Sequence, residues 1–444
     1  MTEFKHPHGS VFYRRMEYDH PRIVRGEGVY LYDDHGRRYL DACGGAIVVN
    51  LGHGIESIAR AMQQQAADVA YIHPTMFTCD TVEQYAAALA AITPLTDAKF
   101  YFMTSGSEVV EAAIKLARQI QIERGEKKRH LVISRWMSYH GLSLGALAVT
   151  GKTKMRQRYL PMMQDMPHIP PPYCYRCPFG LTYPACNLRC ADELETEIQR
   201  QGAETVAAFI AEPVSGATLG AAVPPDGYWA RIQEICHKHG VLLIADEVMT
   251  GMGRSGKWFA TEHWDVQADL ITLGKGMAGG YFPLSALAVR GALVEEIVRG
   301  SGGFSHGGTY SHHAVGSAVG LAVLEILTDE LVKSVAEKGR FLERLLHEKF
   351  DACPIVGDVR GIGLMWGIEL VQDSASKRPF DPGLHLAQRI ADEAMQRGLI
   401  VYPGGGSVDG TAGDHIMLGP PFTISEDQMR DVVEILAKAL WELP

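Results

Sequence analysis

The middle of the chain alternates short apolar runs with amphipathic segments. From about residue 55 to 318 these runs are apolar at consecutive positions, at 100–102, 131–133, 206–210, 241–245 and 270–273. Consecutive apolar positions are typical of strands that are buried on both faces of a parallel sheet. The pattern therefore predicts an α/β domain with a large, mostly parallel sheet flanked by helices.

Both ends of the chain show a different pattern. Residues 29–41 read as short strands about a turn at 33–36, and after about residue 319 we predict a long helix, a strand pair at 359–370, a helix near 384–397 and a final helix from Glu426. These patterns divide the chain into three segments. Residues 1–55 form the N-terminal part of a small lobe, 56–318 a large domain, and 319–444 a small C-terminal α+β domain.

Charge and composition exclude several classes of protein. The 444 residues carry 42 Lys and Arg against 52 Asp and Glu, a net charge of -10, which disfavours binding to nucleic acid or anionic membranes. No run reaches membrane-spanning length, and the first sixteen residues lack the apolar segment of a secretory signal. Eight cysteines suit a reducing compartment. We expect a cytoplasmic protein that binds neither nucleic acid nor membrane.

Three of the predicted strands end in residues with useful chemistry. Ligands of open parallel sheets bind beyond the carboxyl ends of the strands. There the run at 241–245 is followed by Asp246, the run at 270–273 by Lys275 between two glycines, and the run at 100–102 by the hydroxyl-rich turn at 104–107. We expect an acid, an amine and a glycine turn at one edge of the sheet.

Each of these residues also has a purely structural interpretation. Ser105 and Glu108 form the pattern of a helix capping box, although a helix N-terminus with free N–H groups also binds phosphate. Lys275 could be solvated, but a buried lysine has a lowered pKa and its neutral amine forms imines. Asp246 could cap the next segment, or it could pair with a protonated pyridine nitrogen.

A glycine motif offers a competing hypothesis. Residues 251–256 match the GxGxxG pattern of dinucleotide-binding loops, which would make the protein a nicotinamide-dependent oxidoreductase. The segment that follows, Lys257-Trp258-Phe259, is not typical of a phosphate-facing helix. The oxidoreductase is therefore a remote alternative.

Six motifs occur together in one order and resemble those of the class III aminotransferases. These are pyridoxal phosphate enzymes of fold type I, and the resemblance spans nearly the whole chain. The motifs lie at 104–108, 138–141, 212–213, 246–248, 274–276 and 306–309.

The resemblance implies a role for individual residues. Lys275 would form a Schiff base with the cofactor and carry the substrate proton, Asp246 would bind the pyridine nitrogen, and Val248 would pack beneath the ring. The phosphate would be bound by Ser105, Gly106 and Ser107, and Tyr139 would stack on the ring. Thr309 would reach the phosphate of a neighbouring subunit. The family therefore implies a homodimer, or a dimer of dimers, with shared sites.

Several positions depart from relatives that use dicarboxylates. Leu142 and Ala217 stand where those relatives have an arginine and a glutamate, and residues 398–429 contain no Lys or Arg. Relatives also line the substrate entrance with the segments of Ile47 and Phe77, and we place these two residues and Leu142 in the substrate pocket. We predict transfer from a primary amine or ω-amino acid to pyruvate or a similar keto acid. A racemase or epimerase of the same fold is the alternative.

Four cysteines cluster in a Pro- and Tyr-rich insertion. Cys174, Cys177, Cys186 and Cys190 form a C-x2-C-x8-C-x3-C array. Clustered thiolates can bind zinc tetrahedrally, although the second spacing is short for common zinc ribbons. A structural metal, disulfides and free thiols are each compatible with this spacing.

Overall fold

A computed structural model of the chain describes residues 10–16, 18 and 20–441. None of the helices in these ranges is long and apolar enough to cross a membrane. The strands are β1 Ile23–Glu27, β2 Tyr30–Asp33, β3 Arg38–Asp41, β4 Lys99–Met103, β5 Leu131–Arg135, β6 His168–Ile169, β7 Val206–Ala211, β8 Leu242–Asp246, β9 Leu270–Leu273, β10 Ser285–Val289, β11 Val356–Ile362, β12 Met365–Leu370, β13 Leu399–Ile400, β14 Tyr402–Gly405 and β15 Asp414–Leu418. The helices are α1 Gly44–Ile47, α2 Glu56–Asp68, α3 Asp80–Ile92, α4 Gly106–Glu123, α5 Leu144–Val149, α6 Thr153–Arg156, α7 Arg189–Gln201, α8 Tyr228–His239, α9 Gly291–Arg299, α10 Ala314–Ile326, α11 Asp329–Phe350, α12 Leu386–Gln396 and α13 Glu426–Trp441.

The central sheet confirms the predicted α/β architecture. Its seven strands lie in the order β4-β10-β9-β8-β7-β5-β6, and the five predicted apolar runs are strands β4, β5, β7, β8 and β9. Neighbouring strands from β9 to β6 are parallel, whereas β10 is antiparallel to both β9 and β4. The sheet is therefore mostly parallel. Strand β10 was not among the predicted runs.

Alternate residues of the central strands face two separate hydrophobic cores. Phe209 and Leu243 pack in one core with residues of α7 and α8, while Ile210 and Ile244 pack in the other with residues of α4. All residues of β7, β8 and β9 are buried. Burial on both faces explains why these strands read as continuous apolar runs in the sequence.

The two ends of the chain meet in the smaller part of the fold. Strand β13 pairs in parallel with β3, so that the N-terminal strands β1 to β3 and a C-terminal strand share one sheet. A separate antiparallel sheet has the order β11-β12-β15-β14. The domain boundaries remain a prediction. The boundary placed after residue 318 falls inside α10, which packs against α2 and α3.

The single long helix predicted after residue 319 is two helices. Helix α10 ends at Ile326 and α11 begins at Asp329. Between them Thr328 caps α11, because its side chain accepts a hydrogen bond from the Leu331 N–H at 3.3 Å. The sequences on both sides of Thr328 are strongly helical, so the pattern alone does not show where one helix ends and the next begins.

The GxGxxG segment at 251–256 is a buried structural loop. Arg254 within it is fully buried and donates hydrogen bonds to the Leu364 carbonyl at 2.9 Å, the Pro420 carbonyl at 2.7 Å and Asn50 Oδ1 at 2.7 Å. No α-helix follows the loop directly, since the next helical element is a short 3₁₀ turn at Ala260–His263. The segment thus joins distant parts of the chain and lacks the helix N-terminus that binds a dinucleotide phosphate.

We predict that Arg254→Met lowers the free energy of unfolding by about 3 kcal/mol, because three buried acceptors lose their donor at about 1 kcal/mol each. Urea denaturation followed by circular dichroism measures the change. Arg340→Met, which removes an exposed arginine from α11, is the matched control. An unchanged midpoint in Arg254→Met would show that these bonds do not hold the loop.

Candidate active site

A cavity of about 200 Å³ opens at the carboxyl edge of the central sheet. The ends of β8 and β9 contribute residues to its wall, and so do the turns after β4, β5 and β7. This is the edge where ligands of parallel sheets bind. The lining residues are Ser105, Gly106, Ser107, Tyr139, His140, Gly141, Glu212, Val214, Ala217, Asp246, Val248, Met249, Thr250 and Lys275.

Lys275 lies in this cavity directly after β9. Its backbone adopts a positive φ of 43°, in a short 3₁₀ turn that begins at the residue itself. Burial lowers the pKa of Lys275 from 10.5 to about 8, although the negative charges of Asp246 and Glu212 act in the opposite direction. A substantial fraction of the amine is therefore neutral at mildly alkaline pH, and a neutral amine is a nucleophile and a base.

Asp246 is a buried carboxylate held by three hydrogen bonds. Its Oδ2 lies 2.6 Å from His140 Nδ1, and its Oδ1 accepts from the Thr272 hydroxyl at 3.0 Å and from the Val248 N–H at 3.1 Å. Thr272 is its register partner on β9. The carboxylate is therefore fixed in position, and its charge faces the cavity that contains Lys275.

The N-terminus of α4 forms another wall. Ser105 is the N-cap, because its Oγ accepts from the Glu108 N–H at 3.3 Å. The predicted capping box is incomplete, since the Glu108 carboxylate accepts from the N–H and the hydroxyl of Thr104 and not from the Ser105 N–H. Gly106 and Ser107 begin the helix, where backbone N–H groups have no intrahelical partner. A Cβ added at Gly106 or at Gly274 would lie 3.3 Å from Val248, so both glycines keep this wall close to the valine. An anion fits at such a helix end.

Tyr139 is positioned by a buried glutamate. Its backbone N–H donates to Glu212 Oε2 at 3.3 Å, and Glu212 Oε1 accepts from the Gly216 N–H at 3.0 Å. Burial raises the pKa of Glu212 and also that of Tyr139. Glu212 thus ties the turn after β7 to the loop that carries Tyr139.

The cavity brings together seven of the residues selected from the sequence, namely Ser105, Gly106, Ser107, Tyr139, Asp246, Val248 and Lys275. Four others lie outside its wall. Ile47 is buried in a cluster beside it with Val214 and Met417. Phe77 and Leu142 are 63% and 43% exposed, and Thr309 is exposed on the surface of the single chain.

Two residues of the cavity wall are not among the site residues selected from the sequence. Glu212 and His140 both line the cavity, and His140 contacts Asp246 directly. The contact joins residues 106 positions apart. A local sequence pattern cannot predict a contact between residues so far apart. The fold brings His140 and Asp246 together at the same edge of the sheet.

The four clustered cysteines line a small cavity of their own. All four are free thiols, and burial raises the pKa of Cys190 to about 12 and also raises that of Cys174. Within the described residues, no three Cys, His, Asp or Glu side chains are placed to hold a metal ion. The spacing therefore brings the four thiols around one cavity, and their state as metal ligands, disulfides or free thiols stays a prediction.

Comparisons with known proteins agree on one family. The family model for aminotransferase class III matches residues 13–440. The chain is 35% identical to a diaminobutyrate–2-oxoglutarate transaminase of Halomonas elongata (94% of this chain, 89% of the relative). It is 33% identical to a putrescine–pyruvate aminotransferase of Pseudomonas aeruginosa (96% and 92%). The crystal structure of an (S)-enantioselective ω-transaminase from Thermomicrobium roseum superposes with a TM-score of 0.90 at 38% identity (98% and 96%).

We predict that the cysteine cluster binds no structural zinc, because within the described residues no three Cys, His, Asp or Glu side chains are placed to hold a metal ion, whereas a structural zinc site needs four ligands around one point. Elemental analysis should find well below one zinc per chain, and a chelator should leave the melting temperature unchanged. Close to one zinc per chain, with lower stability after chelation and in Cys177→Ser, would contradict this expectation.

Proposed function

The chain belongs to the class III aminotransferases, and we propose that it moves an amino group from a primary amine or an ω-amino acid to pyruvate or a similar small keto acid. The cofactor of this family is pyridoxal phosphate. The choice of substrate rests on the residues of the cavity wall, which offer little positive charge to pair with a second carboxylate. Lys275 is the one Lys or Arg among the described residues that line the cavity.

The cavity offers a suitable group for each part of the cofactor. Asp246 would keep the pyridine nitrogen protonated, the N-terminus of α4 at Gly106 and Ser107 would bind the phosphate, and Val248 and Tyr139 would enclose the ring. The two glycines let the backbone lie close to Val248, which would pack against one face of the ring. Bound pyridoxal phosphate supplies an aldehyde carbon for the amine and an electron-withdrawing ring that stabilises negative charge on the neighbouring carbon.

Lys275 is the base that we assign to proton transfer. In the cavity its pKa of about 8 lies closer to neutral than that of a free lysine, and a base with a pKa near the working pH is the most effective. It would remove the proton from the substrate carbon that bears the nitrogen and return a proton in the second half-reaction. The oxidised donor leaves before the keto acid enters, so that the two substrates use one cavity in turn.

The wall beside the reacting carbon is apolar. Val214, Ala217 and Met249 line it, and Leu142 lies beyond Gly141. A carboxylate buried against such a wall costs several kcal/mol when it has no cationic partner. Because named relatives use either 2-oxoglutarate or pyruvate, the family alone does not decide the acceptor. The apolar wall favours pyruvate, because pyruvate lacks the second carboxylate of 2-oxoglutarate.

We further propose that a second copy of the chain completes the site. Tyr71, Met76, Phe77 and Tyr310 are large apolar side chains that are exposed on the single chain, and the rings of Tyr71 and Tyr310 contact each other. Exposed apolar clusters of this kind mark association surfaces. Thr309 lies next to Tyr310, so association through this surface would bring it towards the neighbouring cavity.

We predict that the purified protein is yellow, and that Lys275→Ala removes its visible absorption band while circular dichroism shows that the fold is kept. The reason is that Lys275 is the amine to which the cofactor aldehyde binds. Lys257→Ala, which removes an exposed lysine near the same lobe, should keep the band. An unchanged band in Lys275→Ala would end the assignment of this residue.

A panel of amino donors against two acceptors tests the substrates. We expect primary amines or ω-amino acids to react with pyruvate at least tenfold faster in kcat/KM than with 2-oxoglutarate, since about 1.4 kcal/mol gives tenfold and an unpaired carboxylate costs more. Equal or better rates with 2-oxoglutarate would refute the preference. Inversion of an amino acid without transfer to any keto acid would instead indicate the racemase or epimerase.

A further inference from the structure

The part of the cavity wall that contains Ala217 belongs to a short closed loop. Residues 215–222, which we call the wall loop, are joined at their two ends by a pair of hydrogen bonds between Ser215 and Ala222, each 3.0 Å long. Ala217 lies beyond this closed base and lines the active-site cavity. The pairing at the base does not by itself fix the peptide of Ala217, so its position depends on what contacts the wall loop from outside.

One side chain of the smaller sheets reaches the wall loop at Ala217. His415 lies on β15, and its Nε2 is 3.1 Å from the Ala217 carbonyl oxygen. A carbonyl oxygen only accepts hydrogen bonds, so Nε2 carries the proton and donates it. Within the described residues this is the one hydrogen bond that the Ala217 carbonyl accepts. The position of this wall thus depends on a residue that is 198 positions away in the chain.

Two glycines make room for the imidazole ring of His415. On β14 its register partner is Gly404, and a Cβ added there would overlap the ring. A Cβ added at Gly220 of the wall loop would lie 2.9 Å from His415 Cδ2, which is too close for a real contact. Gly220 also has a positive φ of 57°, a conformation that favours glycine. The backbone on both sides therefore accommodates the ring, so that its Nε2 reaches the wall loop.

The protonation of His415 suits this role. Burial lowers its pKa to about 3, and the positive charge of Arg360 lowers the pKa as well, whereas the negative charge of Glu369 acts in the opposite direction. Nδ1 of the ring has no hydrogen-bond partner among the described residues. An unprotonated Nδ1 needs no acceptor, while a buried Nδ1–H without an acceptor is unfavourable. The ring is therefore held in one neutral tautomer, with its proton on Nε2.

A second side chain holds the next part of the wall loop. Arg360 on β11 donates to the Leu219 carbonyl from Nε at 3.1 Å and from Nη2 at 2.5 Å. Its charge is paired with Glu369, whose Oε2 lies 2.7 Å from Nη2. The wall loop is thus held from outside at two carbonyls, and only that of Ala217 belongs to a residue that lines the cavity. An outward movement of the wall at this residue has to break the bond from His415.

We propose that His415 is a positioning residue that holds Ala217 in place and thereby limits the size of the keto-acid side chain that the cavity admits. The inference rests on the proposed function and deepens it, because it names a group that restricts the acceptor to small keto acids. A longer side chain on the reacting carbon needs the wall at Ala217 to move outward, and this movement costs the hydrogen bond. The methyl group of pyruvate fits without it. His415 itself does not line the cavity, and it takes no part in the proton transfer.

The test compares pyruvate with 2-oxobutanoate and 2-oxopentanoate as acceptors, with one amino donor throughout, in the wild type, His415→Asn and His415→Gln. The Gln side chain places its N–H near the position of Nε2, whereas the Asn side chain is too short to reach the Ala217 carbonyl. His415→Asn should lower the preference for pyruvate over 2-oxopentanoate, measured as a ratio of kcat/KM, about fivefold, the factor that one neutral hydrogen bond supplies. The change should lie in a lower KM for the longer acid, with kcat for pyruvate within about twofold. His415→Gln should keep the ratio of the wild type.

Val433→Ala, which removes a buried side chain from α13, is the control for lost stability and should leave the ratio unchanged. An unchanged ratio in His415→Asn, an equal change in His415→Gln, or the same change in Val433→Ala would overturn the role of His415. A merely structural role would slow the reaction with every acceptor alike. It would not improve the use of the longer one.

An NMR spectrum of the protein labelled with ¹⁵N in its histidines gives a readout independent of turnover, and it applies even when His415→Asn is too unstable to assay. One histidine should keep its proton on Nε2 and should not titrate between about pH 5 and pH 8, and its signal should be absent from His415→Gln. A His415 signal that titrates in this range would overturn the proposal. A wild type that is inactive with every amine would refute the proposed function itself, whereas an active wild type that uses all three keto acids equally well would refute only this inference.

Discussion

The buried carboxylate of Asp246 imposes the constraint on which the site depends. A charge at the end of a central strand is costly unless it is hydrogen-bonded, and its three partners come from different parts of the chain: His140 after β5, Thr272 on β9 and the N–H of Val248. These partners coincide only when β8 and β9 pair in the observed parallel register. The same register places Lys275, three residues after Thr272, beside the carboxylate. The fold thus brings an acid and an amine together as a consequence of satisfying one buried charge.

Five strands of the central sheet and seven residues of the cavity wall could be predicted because their signals are local. Strands buried on both faces read as apolar runs, and Asp246, Lys275 and the turn before α4 each follow such a run directly. Other features depend on distant contacts. Strand β10 has a short apolar sequence, Ser-Ala-Leu-Ala-Val, that does not reveal its antiparallel pairing with β4 and β9. The contact between His140 and Asp246 gives no signal in the sequence either, since the two residues are 106 positions apart.

Charge is distributed unevenly around the cavity. Val214, Ala217 and Met249 form an apolar part of its wall, and Lys275 is the one Lys or Arg among the described residues that line it. Burial in this cavity lowers the pKa of Lys275. The names of two relatives differ in donor and acceptor, so membership of the family does not by itself fix the substrates.

The central claim is that Lys275 is the residue that binds the cofactor covalently. Borohydride reduction of the purified enzyme, followed by proteolysis and mass spectrometry, tests it directly because reduction makes the bond between an amine and the cofactor aldehyde permanent. We expect the added mass of the reduced cofactor on the peptide that contains Lys275 and on no other lysine. The same mass on a different lysine, or no modified peptide from a yellow protein, would contradict the claim.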